Sequence, residues 1–123
     1  MKLAFISINP KYANKIKKGI KKWEYRRIHI TNYKKIYLYE FKPICKITLK
    51  LYISQYIKDS PENIWELTKD NSGISKKQFF NYCKNRKYIY AYKIEKFEKV
   101  NYNLQDNNLK IPHYVLYIED NLR

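Results

Sequence analysis

No apolar run in this 123-residue chain approaches the ~20 residues needed to cross a bilayer, so a spanning helix is excluded. The N-terminus is basic at Lys2 and apolar through Ile8, but Asn9-Pro10-Lys11 cuts it off before a secretory core can form, and no small-residue cleavage site follows. It reads as the first strand of a cytoplasmic protein. Cysteine and histidine are scarce: Cys45, Cys83, His29 and His113 are scattered without C-x-x-C or H-x-x-x-H spacing. No zinc site is encoded locally, no metal or other cofactor is expected, and both thiols are expected to be reduced and buried. Repeats and low-complexity linkers are absent. Nothing marks a boundary, so residues 1–123 are expected to form a single domain.

Acids are also few. Against 26 Lys and Arg stand 11 Asp and Glu, a formal charge of +15. Abundant Lys, Ile, Asn and Tyr reflect the codon usage of an AT-rich genome, but that bias does not suppress Asp and Glu, so the excess of base remains informative. It is also uneven. Lys11, Lys15, Lys17, Lys18, Lys21, Lys22, Arg26, Arg27, Lys34 and Lys35 surround Glu24, the sole acid between residues 11 and 35. A polyanion is the natural partner of such a surface.

The most informative stretch runs from Phe5 to Arg27. Asn9 can cap a helix and Pro10 suits its first position; Tyr12, Ala13 and Ile16 share one face, and Gly19 can end it in the left-handed region. The strand after it alternates, with Trp23, Tyr25 and Arg27 on one face and Lys22, Glu24 and Arg26 on the other. An acid is thereby set among cations and beside aromatics at the exit of a helix. Further strands are expected at residues 2–8, 22–29, 34–41, 44–57, 87–97 and 113–118, with a slip of period near Ile94 that predicts a bulge. Ser60-Pro61 opens a second helix, and Ser75 with Gln78 forms a capping-box pattern for a third. Residues 101–112 read as polar loop. Strands and helices do not alternate regularly enough for a doubly wound sheet, and a small, mostly antiparallel barrel decorated by about three short helices fits better.

Ser7-Ile8-x-Pro10-x-Tyr12-Ala13-x-x-Ile16, then Lys18-Gly19-x-Lys21, then Glu24-Tyr25-Arg26-Arg27 resembles the ASCH domains, a branch of the PUA-like superfamily. The likeness continues through Ile36-Tyr37-Leu38-Tyr39 with Pro43 after it, Ser72-Gly73-Ile74-Ser75 and Ala91-Tyr92-Lys93-Ile94, and reaches about residue 100. It implies an α+β fold built on a PUA-like β-barrel, with a cleft at the second strand.

The residues themselves suggest binding. Lysines hold phosphates without reading sequence, and exposed tyrosines offer stacking worth about 1–3 kcal/mol per base. Lys11, Lys15, Lys18, Lys21, Lys22, Trp23, Glu24, Tyr25, Arg26, Arg27 and Tyr39 are the candidate contacts, with Tyr90 and Tyr92 as further aromatics; for Trp23 or Tyr25 a place in the core is the simpler reading. Glu24, flanked by cations that favour its charged form, can accept hydrogen bonds from a base or act as a general base. The expected partner is RNA, or other single-stranded or modified nucleic acid.

An enzyme is the alternative, with Lys21 and Glu24 as its catalytic pair. The resemblance implies two activities, ribonuclease and hydrolysis of N4-acetylcytidine. The pattern of the second, G-x-K-x-x-T-x-R, appears here as Gly19-x-Lys21-x-x-Glu24-x-Arg26, with Glu24 replacing the nucleophilic threonine. Its further acid has no single counterpart among Glu62, Glu66 and Asp70.

Overall fold

Helix α1 (Pro10–Lys17) begins where its capping residues put it: the Asn9 side chain accepts from the Lys11 N–H at 2.8 Å, and Pro10 occupies the first turn. Gly19, at φ +75°, ends it, after which the Ile20 and Lys21 N–H groups both return to the Lys15 carbonyl. The same logic starts α2 (Pro61–Thr68) at Ser60 and α3 (Lys76–Tyr82) at Ser75, whose hydroxyl accepts from the Gln78 N–H. Gln78 completes only half of the expected capping box, because its side chain receives the Tyr12 hydroxyl, at 3.4 Å. This computed structural model describes residues 2–123.

Among the described residues six strands form one sheet: β1 (Lys2–Ile8), β2 (Trp23–Arg26), β3 (Lys35–Glu40), β4 (Lys46–Asp59), β5 (Ile89–Tyr102) and β6 (Val115–Glu119). Their order is β2-β5-β4-β3-β1-β6, and only β1 and β3 run parallel. The bulge expected near Ile94 is present, since Tyr52 faces Lys96 while Ile53 faces Ile94. It releases the Ile94 N–H, which donates to the Lys22 carbonyl at 2.9 Å and ties the start of β2 to β5.

The expected barrel is not closed. Among the described residues no ladder joins the edge strands β2 and β6, although Arg26 of the one and Val115 and Tyr117 of the other line a common hollow. The reason is β2 itself, which was expected to run to residue 29 and stops at Arg26, leaving too little backbone for a further partner. Side chains cross the seam instead: Arg26 Nη2 donates to the Ser7 carbonyl at 2.9 Å, and the Tyr117 hydroxyl accepts from the Thr31 N–H at 3.1 Å. At the other extreme β5 runs past the expected end at Phe97, because the first half of β4 offers it a partner through Ile47–Tyr102. A register shift between Ile47 and Leu49 places Ile47 in a core with Leu3, Phe5 and Tyr37, while Leu49, Leu51 and Ile53 pack with Ala4, Ile6 and Ile36. Cys83 is buried as expected, but Cys45 is exposed, in the turn between β3 and β4 at φ 54°. Among the described residues, no helix is long and apolar enough to cross a membrane.

Candidate functional site

The open seam is hollow. A cleft of about 360 Å³, at the small end of the roughly 300–1,000 Å³ usual for ligand sites, lies between β2, the end of β1 and the segment before β6. Lys21, Glu24 and Arg26 supply its charge, and Tyr12, Tyr25 and Tyr82 its aromatic surface.

Lys21 is 4% exposed, although it lies in a run of lysines and isoleucine that reads as solvated. The turn after Gly19 sends its side chain under the loop at residues 71–73, where Nζ donates to the Ser72 carbonyl at 2.9 Å. Neighbouring bonds fasten the same loop, from Lys15 Nζ to the Gly73 carbonyl at 3.0 Å and from the Lys22 N–H to the Asn71 carbonyl at 2.8 Å. Gly73, at φ +68°, is pressed so close that a Cβ there would stand 2.4 Å from Lys21 Cβ. The ammonium sits 4.7 Å from the Tyr25 ring centroid and 5.6 Å from that of Tyr12.

Burial pulls Lys21 down to about 8; Glu24 opposes that shift, and Lys15 and Arg26 add to it. The unfolded chain holds a lysine near 10.4, so between these values it binds more protons than the folded state and stability rises with pH. The full rise is on the order of 3 kcal/mol. Tyr25, which burial pushes up to about 12, acts in the opposite sense only above its ordinary value near 10. Urea unfolding followed from about pH 7 to about pH 9.5 is expected to show a rising midpoint that Lys21→Met removes; a native midpoint with the same pH profile as the variant overturns it.

Glu24 is 6% exposed and Arg26 lies two residues on, on the same face of β2. Glu24 Oε2 accepts from Arg26 Nη2 at 2.9 Å and Nε at 3.2 Å, while Oε1 has no hydrogen-bond partner among the described residues. The pair lies within one strand, whereas an ordinary structural ion pair of a sheet reaches across to a neighbour. On the opposite face of β2, Tyr25 gives its edge to Phe79, ring centroids 5.0 Å apart, and shares a 2.7 Å hydrogen bond with Thr68. It is both core and cleft wall.

The expected site residues are thus partly gathered. Lys21, Glu24, Tyr25, Arg26 and Arg27 line the cleft. Lys15 braces the loop at 71–73, while Lys11, Lys18 and Lys22 are exposed and none of the three lines the cleft. Trp23 is half-buried against the core under α2 and α3. Tyr39 lies outside the cleft: at 3% exposure it packs with Phe5 and Ile47, because alternation along β3 points it away from Leu38 and into that separate core. Tyr92 is also core, its hydroxyl accepting from the Ile30 N–H at 2.7 Å. Glu62, Glu66 and Asp70 are exposed and none lines the cleft, where Ile74 stands nearest to them in the chain.

Several lining residues are not read as site residues in the sequence, among them Ser7, Tyr12, Tyr82, His113 and Tyr114. His113 and Tyr114 arrive because β6 pairs antiparallel with β1, which sets the preceding segment beside Ser7; the Ser7 hydroxyl donates to the Pro112 carbonyl at 2.6 Å. Among the described residues, no three His, Cys, Asp or Glu side chains are grouped to hold a metal ion.

No protein-family model matches the sequence, and no curated protein does. Solved structures do. The crystal structure of ASCH from Zymomonas mobilis superposes with a TM-score of 0.86 at 19% identity, covering 95% of this chain and 87% of the other. Two single-substitution variants of that protein give 0.85, at 19% and 20% identity, covering 95% and 98% of this chain and 88% and 92% of theirs. At such identity the likeness is one of architecture, and the likeness to ASCH domains expected from Ser7 to Ile94 is met there: the chain has the fold of the ASCH proteins.

Proposed function

We propose that the protein binds single-stranded RNA, or a modified nucleotide, by taking one base into the seam cleft. The observation that carries this reading is Glu24 Oε1, an acceptor without a partner among the described residues, inside a hollow walled by tyrosines and lined by Lys21, Arg26 and Arg27. A nucleotide presents N–H donors that suit that oxygen, a π-face that suits Tyr12 or Tyr82, and a phosphate that suits a chain of charge +15. A duplex has no base edge free to enter a cleft of this size.

Fluorescence anisotropy with short single-stranded oligonucleotides tests it. Log affinity is expected to fall with log salt at ~0.7 per neutralised phosphate. Lys21→Ala is expected to weaken binding to every sequence, and Glu24→Gln to alter which base is preferred more than overall affinity. Affinity that stays flat from low to physiological salt overturns the proposal.

Lys21 favours a second reading, an enzyme on the same scaffold. At about 8 it is nearer to neutrality than a solvated lysine, and with Glu24 it offers a base and an acid for cleaving RNA or an acylated nucleoside. Product formed from unstructured RNA or N4-acetylcytidine, and abolished by Lys21→Ala in a folded protein, distinguishes that reading from binding alone.

A further inference from the structure

Beyond Arg26 the seam continues into a second hollow of about 400 Å³. The two compartments share Arg26, Arg27, Tyr82, His113 and Tyr114, so they form one groove with two ends. Their chemistry differs. The first contains the carboxylate of Glu24; the second has no acidic side chain in its lining and adds Arg86 and His29 to the shared residues.

Two of the arginines there are unpaired. Arg27 and Arg86 form no ion pair among the described residues, and the Arg27 guanidinium lies 4.7 Å from the Tyr82 ring centroid, an arrangement that holds its plane while leaving its N–H edges free. Arg26 spends Nε and Nη2 on Glu24 and Ser7, which leaves Nη1. His29 engages the Tyr92 hydroxyl through Nδ1, which leaves Nε2. Arg26, Arg27 and Arg86 line one hollow that contains no acidic side chain, so the charge gathered there is left for a ligand to meet. Planar forks of N–H donors suit a tetrahedral oxyanion better than they suit water or a neutral ligand.

We propose that this second compartment is a phosphate subsite, recognising the phosphate attached to the nucleotide whose base occupies the first. The inference rests on the base-binding reading and narrows it: the ligand is a phosphorylated nucleotide or a strand, and a free nucleoside fills only half of the groove. Tyr114, 81% exposed at the junction, is placed to cover the sugar between them.

Calorimetry with a nucleoside, its 5′-monophosphate, its 3′-monophosphate and a dinucleotide tests this. At least one phosphorylated ligand is expected to bind tenfold or more tightly than the nucleoside, and the arm that gains tells a terminal phosphate from an internucleotide one. Arg86→Gln, exposed and in the second compartment only, is expected to remove most of that gain and leave nucleoside affinity unchanged. Equal affinity for all ligands, or a gain that survives Arg86→Gln, overturns the subsite. Inorganic phosphate titrated against the arginine side-chain NMR signals separates this proposal from the one beneath it. Shifts at Arg27 and Arg86 with no base bound keep the subsite and remove the base cleft; base binding with no such shifts does the reverse.

Discussion

Gly73→Ala is expected to destabilise the protein by roughly 2–5 kcal/mol and to abolish binding in the seam cleft. Two costs add. Gly73 sits at φ +68°, where a side chain costs about 1–2 kcal/mol. The new Cβ would also lie 2.4, 2.7 and 3.0 Å from Cβ, Cγ and Cδ of Lys21. The nearest of these atoms is fixed to the backbone of a buried residue, so it cannot swing aside, and such overpacking costs about 1–3 kcal/mol. Whichever side yields, the Lys21–Ser72 hydrogen bond and the ammonium's place over Tyr25 go with it. Gly19→Ala is the control: its φ of +75° carries a similar conformational penalty, but nothing lies within 4 Å of the added methyl. Chemical unfolding of both variants measures the difference, and equal losses would show that the contact between Gly73 and Lys21 contributes nothing.

The contrast between these two glycines shows what was legible. Gly19 ends a helix, a local event announced by Asn9-Pro10 upstream and the polar residues around it, and the strand, helix and turn from Phe5 to Gly19 fold as read. The role of Gly73 depends on a lysine 52 positions away in the chain, and no local pattern records it. The same division runs through the site. Glu24 and Arg26 share a face of β2 because alternation requires it, so their pairing follows from spacing alone. The burial of Lys21, the approach of His113 and the failure of the barrel to close depend on which distant strands become neighbours. Tyr39 illustrates the opposite error, since a tyrosine in a strand of a basic chain reads as a stacking platform, and only the packing of Phe5 and Ile47 around it makes it core. The ASCH resemblance anticipated the fold through the order of its motifs, while His113 and Tyr114 reach the cleft only through the pairing of β6 with β1.

Arg26→Ala is expected to have the other large effect, about 2–4 kcal/mol of stability and the loss of the cleft's shape. Arg26 is the bridge over the seam, joining Glu24 on its own strand to the Ser7 carbonyl on β1. Its removal leaves a carboxylate whose side chain is 8% exposed without its guanidinium partner, and breaking a buried pair in this one-sided way costs about 3–5 kcal/mol. The arginine side chain is 22% exposed and water can enter the cleft, so the lower part of that range applies. A double-mutant cycle separates the two contributions. If the cost is chiefly the stranded charge of Glu24, Arg26→Ala combined with Glu24→Gln recovers most of the stability, since the neutral amide is far cheaper to bury unpaired. The hydrogen bond to Ser7 remains lost in both, and its part of the cost persists. Additive losses would mean that Glu24 and Arg26 do not depend on each other, and the placing of Glu24 Oε1 as a free acceptor would then need another cause.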